Sequence, residues 1–159
     1  MITIINYGLG NLHSIRNMLK RIGIESTVSD NYKVIENAEK LILPGVGSYD
    51  FGMTQLNNSG LIDLLNKKVI IEKKPVLGIC LGAQLLTEGS EEGKLAGLGW
   101  IKGRTVSFDK NKLGANQKIP HMGWTEVFDY QKSKLFSDMY DDARFYFVHS
   151  YHLKIEEKK

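Results

Sequence analysis

A single cysteine, Cys80, stands among 159 residues, and no run of the sequence approaches the roughly 18 apolar residues that a membrane span needs. One cysteine cannot close an internal disulfide, which agrees with a reducing compartment. It has no cysteine companion and the four histidines are dispersed, so no metal cluster is expected. A large excess of either charge is lacking too: the net charge is +3, and Lys and Arg are scattered among acids except in the Lys-rich tail. Nucleic-acid binding is therefore not indicated. No basic region followed by an apolar core and a cleavage site opens the chain, so a cytoplasmic protein without membrane contact is expected. The GxG within residues 7–11 (YGLGN) lacks the third glycine of a dinucleotide fingerprint, and no cofactor is expected.

What is present suits one domain over residues 1–159 with a substantial core, since the chain is too short for two ordinary domains. Its centre is residues 75–86 (PVLGICLGAQLL). Val76, Leu77 and Ile79, following Pro75 and interrupted by Gly78, form a short apolar run that suits a buried strand, and from Leu81 the pattern suits a helix. Cys80 then sits where a strand turns sharply into a helix, with Gly78 and Gly82 two residues away on either side, as a crowded turn requires. This is the layout of a nucleophile elbow with sulfur in place of oxygen. The first turn of a helix favours thiolate over thiol.

Strands are expected at residues 2–6, 24–28 and 40–43, the last ended by Pro44 and Gly45, and helices at 12–22, 49–56 and 61–73. Alternating strands and helices imply parallel strands, hence an α/β three-layer sandwich around an open, mixed but mainly parallel sheet. Ligands bind such sheets beyond the carboxyl ends of the strands, where Cys80 and the loop from Pro44 both emerge. After residues 88–99, rich in glycine and acid, β-like runs at 104–108, 124–128 and 144–150 predict an antiparallel extension of the sheet. The terminal KIEEKK is expected to be frayed or loosely docked.

A cysteine attacking an amide carbonyl needs donors for the oxyanion, a substrate pocket and a base. Residues 44–48 (PGVGS) follow a strand and carry two glycines, so their backbone can approach a substrate and offer N–H groups. The N–H of Leu81 is the other natural donor. Gln84, one helical turn beyond Cys80, can pair with a polar group of the substrate.

GICLGAQLL at 78–86, PGVGSYDFGM at 44–53, YGLGN at 7–11, IPHMGW at 119–124 and FVHSY at 147–151 together resemble the class I (triad) glutamine amidotransferases, a flavodoxin-like fold. More narrowly, PHMGW with HSY resembles the glutaminase subunits of imidazole glycerol phosphate synthases. The resemblance implies that Cys80 attacks the side-chain amide of glutamine, forming a γ-glutamyl thioester and releasing ammonia. Gly45, Val46 and Gly47 look like the oxyanion strand, with the flipping peptide at Val46. Gln84 and Glu92 match positions that hold glutamine, and the backbone of His149, Ser150 and Tyr151 lines the same pocket. Asn11 and Trp124 match positions facing a (β/α)8-barrel synthase, the heterodimer partner. That partner makes imidazole glycerol phosphate and an aminoimidazole carboxamide ribotide in histidine biosynthesis. Related subunits supply ammonia for surface-sugar amidation, and a partner-binding protein without turnover is a further alternative.

Three positions depart from the family pattern: Asn6 stands where aspartate is usual, Thr125 where asparagine is usual, and Ala83 where methionine is common. The family also carries a catalytic His-x-Glu downstream of HSY, on a segment this sequence does not reach. His13, His121, His149 and His152 are each expected to be structural, with His149 and His152 on opposite faces of one strand.

Overall fold

Four β-rich runs meet in one parallel sheet. They are β1 (Ile2–Ile5), β2 (Ser26–Ser29), β3 (Lys40–Gly45) and β4 (Val76–Cys80), in the order β2-β1-β3-β4. The computed structural model describes residues 1–114, 117–128, 134–137, 139, 140 and 142–156. Parallel neighbours need crossover connections, and these are α1 (Leu12–Arg21), α2 (Tyr32–Glu36), then α3 (Tyr49–Asn58) with α4 (Ile62–Asn66). The chain steps from β1 out to β2, then returns past β1 to β3. The C-terminal ends of β1 and β3 therefore flank the point where the strand order reverses, the usual ligand crevice of such sheets.

The second strand starts two residues later than its sequence suggests, and the reason lies in the end of α1. Gly23, at φ +76°, donates its N–H to Lys20 O, and Ile24 donates to Leu19 O at 2.9 Å, the paired bonds of a Schellman cap. Ile24 is thus committed to the helix, and pairing with β1 begins at Ser26 opposite Ile2. The short α2 has no periodic signal of its own; its N-cap Asn31 accepts from the N–H groups of Lys33 and Val34. The third strand runs two residues further than expected, through Pro44 and Gly45.

One apolar cluster, including Ile5, Leu41, Leu43, Leu56, Leu65 and Leu85, fills the space between this sheet and the helices. The helix expected over 61–73 changes pitch: α4 gives way to a π-helical turn at Lys67–Ile71. That turn directs Lys68 inward, 3% exposed, where its amine donates to Glu36 O at 2.6 Å and to the Glu72 carboxylate at 2.7 Å.

The chain divides into two compact units, residues 1–106 with 153–159, and residues 107–152. In the first, α5 (Leu81–Leu85) follows β4 and packs against β3, β4 and α3. Among the described residues the later strands do not extend the parallel sheet, which corrects the expected antiparallel extension: β5 (Gly103–Ser107) pairs with β8 (Tyr151–Ile155), and β6 (His121–Glu126) with β7 (Arg144–His149), as two-stranded sheets. Lys154 and Ile155 of the tail belong to β8, and Glu156 donates to Lys102 O, so this part is not frayed; residues 157–159 lie outside the described residues.

In the second unit, the antiparallel β6–β7 ladder pairs Met122 with Val148, Trp124 with Tyr146 and Glu126 with Arg144. These six residues are exposed, whereas His121, Thr125, Phe145, Phe147 and His149 are partly buried, the alternation of a sheet with one covered face. His149 and His152 fall on different strands, and both rings contact Phe108, at centroid distances of 5.2 and 5.0 Å. The expectation of one strand with two opposed faces is thereby corrected.

Candidate active site

Parallel pairing of β3 with β4 ends with Gly45 opposite Cys80. There β4 breaks into α5 with Cys80 at φ 54°, ψ −119°, a backbone conformation that side chains other than glycine rarely adopt. The thiol is exposed. Glycine on both flanks is a steric requirement of this turn: a Cβ on Gly82 would lie 1.9 Å from Leu43 O, and one on Gly78 would lie 2.5 Å from Ala83 Cα. With only five residues, α5 contributes little macrodipole, so the strained turn and the exposure distinguish this cysteine more than the helix does.

Gly45 is buried between two elements. A Cβ there would meet Gly82 N at 2.6 Å, Tyr7 Oη at 2.8 Å and Leu81 Cβ at 3.0 Å. Val46, Gly47 and Ser48 then emerge into solvent, Gly47 at φ +101°, before α3 begins. Leu81, first residue of α5, carries one of the N–H groups that a helix leaves without an internal acceptor. Gln84 lies on α5 four residues after Cys80 and is partly buried; its carbonyl accepts from the Thr87 hydroxyl at 2.8 Å. The turn thus offers an open thiol beside a glycine-rich strand end, an arrangement suited to attack on a carbonyl with backbone donors nearby.

The sequence model of the family described as glutamine amidotransferase class-I matches residues 3–159. The chain belongs to the class-I glutamine amidotransferases. Among its relatives, imidazole glycerol phosphate synthase subunit HisH 2 of Methanococcus maripaludis is 55% identical over all of this chain and 77% of its own length. The subunit HisH 2 of Pseudomonas aeruginosa is 49% identical over 96% of this chain and 74% of its own length. A solved structure titled as a crystal structure of glutamine amidotransferase superposes with a TM-score of 0.61, covering 79% of this chain and 64% of that one. At 20% identity that likeness bears on the fold alone.

Within this amidotransferase frame, the loop after α5 is tied to the start of α3. The Glu92 carboxylate accepts the Tyr49 N–H at 2.9 Å and so caps α3, whose own N-cap Ser48 makes no side-chain bond. The Asp50 carboxylate returns the tie, accepting from Lys94 N and Leu95 N at 2.9 Å each. These bonds, the Leu95 N–H first, hold the Asp50 carboxyl below its ordinary value. Sequence reasoning found Glu92 through the family resemblance; Tyr7 and Asp50 lie within the matching stretches 7–11 and 44–53, but neither was assigned a role.

His149, Ser150 and Tyr151 belong to the second unit. Their backbone is partly engaged there: His149 Nδ1 lies 2.7 Å from Tyr151 O, and Ser150 O accepts from the Phe108 N–H. Because a carbonyl only accepts, Nδ1 of His149 is the donor. The row that satisfies every atom then runs from the Thr125 hydroxyl to His121 Nε2, and from His121 Nδ1 to His149 Nε2, each at 3.0 Å. Asn11 is exposed and accepts the Ser14 N–H as the N-cap of α1, and Trp124 is 71% exposed. Among the described residues no group of three or more metal-ligating side chains gathers, and no helix is long and apolar enough to cross a membrane.

Proposed function

We propose that this chain is a glutaminase subunit, one amidotransferase domain that hydrolyses glutamine to glutamate and ammonia at Cys80. The sulfur bonds to the amide carbon, the carbonyl oxygen takes the negative charge beside donors at Leu81 and the Val46–Gly47 turn, and the C–N bond then breaks with the thiol proton passing to nitrogen, which leaves as ammonia. Water then splits the γ-glutamyl thioester to release glutamate. Gln84 and Glu92 hold the glutamine in this reading. His121 and His149 are not assigned the base, because their ring nitrogens are committed to Thr125, to each other and to Tyr151. The observation that carries the reading is the exposed Cys80, in its strained turn, facing Gly45.

Ammonia passes in this proposal to a (β/α)8-barrel synthase making imidazole glycerol phosphate, in the cytoplasm, as a heterodimer. Support comes from the names of the relatives and from the open face of β6–β7, where Met122, Trp124, Tyr146 and Val148 form one apolar patch. The test is glutamate release with the histidine-pathway barrel and its ribotide substrate, run beside a barrel of the sugar-amidation type with its own acceptor. Stimulation by the first supports the proposal, by the second moves the pathway, and by neither rejects both.

A further inference from the structure

Tyr7 follows β1 and lies 4% exposed, with its hydroxyl donating to Pro44 O at 2.6 Å across 37 residues of sequence. The position of that bond is informative. Pairing of β3 with β1 stops at Ile42, while pairing with β4 continues to Gly45. Past Ile42 the carbonyl of Pro44 therefore has no strand to pair with on the β1 side, and the Tyr7 hydroxyl supplies the missing donor.

The same peptide is gripped by its other neighbours. A Cβ on Gly10 would stand 2.9 Å from Pro44 Cβ, so the loop after β1 lies against the proline ring. A Cβ on Gly45 would strike Tyr7 Oη and the backbone of α5 together. One residue later the grip ends, because Val46, Gly47 and Ser48 are all exposed. The boundary between held and free backbone falls between Gly45 and Val46, beside the last register position of Cys80.

Resting on the glutaminase reading above, we infer that Tyr7 is a positioning residue for the reaction at Cys80. Its hydroxyl anchors the Pro44–Gly45 peptide, so that the turn at Val46 and Gly47 presents its N–H groups from a fixed root. Any rotation of that turn then pivots beyond Gly45 and leaves the end of β3 in place. Burial pushes the Tyr7 hydroxyl pKa up to about 12, so the group is protonated and a donor at neutral pH. A donor placed for developing charge acts on the transition state more than on substrate binding. A loosened root should accordingly lower kcat and leave KM nearly unchanged.

The test is Tyr7→Phe in the full chain, which removes one oxygen and keeps the ring. Two reagents are compared by intact-mass measurement of Cys80. Iodoacetamide loses iodide to the sulfur and needs no oxyanion donors. A diazo-ketone analogue of glutamine forms a bond from sulfur to the diazo carbon, loses dinitrogen and takes the thiol proton on that carbon, and its ketone oxygen occupies the donor site. The expected result is an iodoacetamide rate within about twofold of the parent and an analogue rate slowed about tenfold, with kcat lowered about tenfold at a KM within about twofold. Equal analogue rates overturn the positioning role, and so does a parallel fall with both reagents, which marks a general loss of structure. Failure of the parent chain to capture the analogue refutes the glutaminase reading itself, a separate outcome that removes the inference with it.

Discussion

Gly45 and Cys80 stand side by side at the end of the β3–β4 ladder, the last register position before both strands turn away. The two elements that any chemistry at Cys80 would combine are therefore joined by strand pairing, and their spacing is fixed by the sheet. The consequences for particular residues can be measured.

Cys80 holds a positive φ that glycine adopts freely. Cys80→Gly and Cys80→Ala both remove the sulfur and abolish glutamine hydrolysis, yet they separate in stability. Relief of the turn should make the glycine variant more stable than the alanine variant by about 1 kcal/mol, even after the greater entropy of glycine in the unfolded chain. Thermal melting should place it about 3 °C higher; an alanine variant at or above the glycine variant would refute strain at this turn.

Gly82→Ala should be among the most damaging single changes in the chain. The added methyl would occupy space already filled by Leu43 O, a backbone atom that cannot swing aside. A cost of about 3 kcal/mol or more is expected, visible as a lowered urea midpoint. Gly60→Ala offers a contrast: it meets no atom within 4 Å, so its penalty comes from its φ of +68° alone.

The Asp50 bonds predict a pH dependence with a definite sign. Its folded carboxyl lies below the ordinary 3.8, chiefly through the Leu95 N–H and then the Lys94 N–H. The stabilising contribution is therefore complete above that ordinary value, and disappears as the pH falls through the lower folded value. Asp50→Asn should melt below the parent at neutral pH, and the gap should close as acid protonates the parent. A gap that stays constant from neutral pH to below 3.8 would contradict the assignment.

Trp124 is exposed, so Trp124→Ala should leave stability within about 0.5 kcal/mol of the parent. If the β6–β7 face docks a barrel partner, the same change should weaken that complex by about 2 kcal/mol or more, as central aromatic anchors do. Calorimetric titration with the histidine-pathway barrel measures the difference; unchanged affinity would remove this face from the interface.

The elbow was legible because apolar strand, glycine, cysteine and glycine form a local pattern whose meaning needs no distant partner. The parallel sheet was legible for the same reason. The end of β3 was misread at Pro44, since a missing N–H ordinarily stops a strand. In an extended strand the N–H and C=O of one residue point the same way. Because Pro44 O meets Tyr7, its absent N–H falls on the side where no strand pairs, and nothing is lost. The anchoring roles of Tyr7 and Asp50 depend on partners 37 and 44 residues away, and no local spacing encodes them. The separate ladders of β5–β8 and β6–β7 were hidden likewise, because alternation reveals a strand and not its neighbour.

The π-helical turn at Lys67–Ile71 makes this stretch sensitive to length in an unusual way. A π turn holds one residue more than the α-helix around it. Deleting the extra residue would restore regular winding and leave the downstream side chains on their present faces, whereas the same deletion in a plain α-helix would turn them by about 100°. Lys68 lies inside the turn, so the contact put at risk is the bond from its amine to the Glu36 carbonyl at the carboxyl end of α2, while the hydrophobic contacts stay intact.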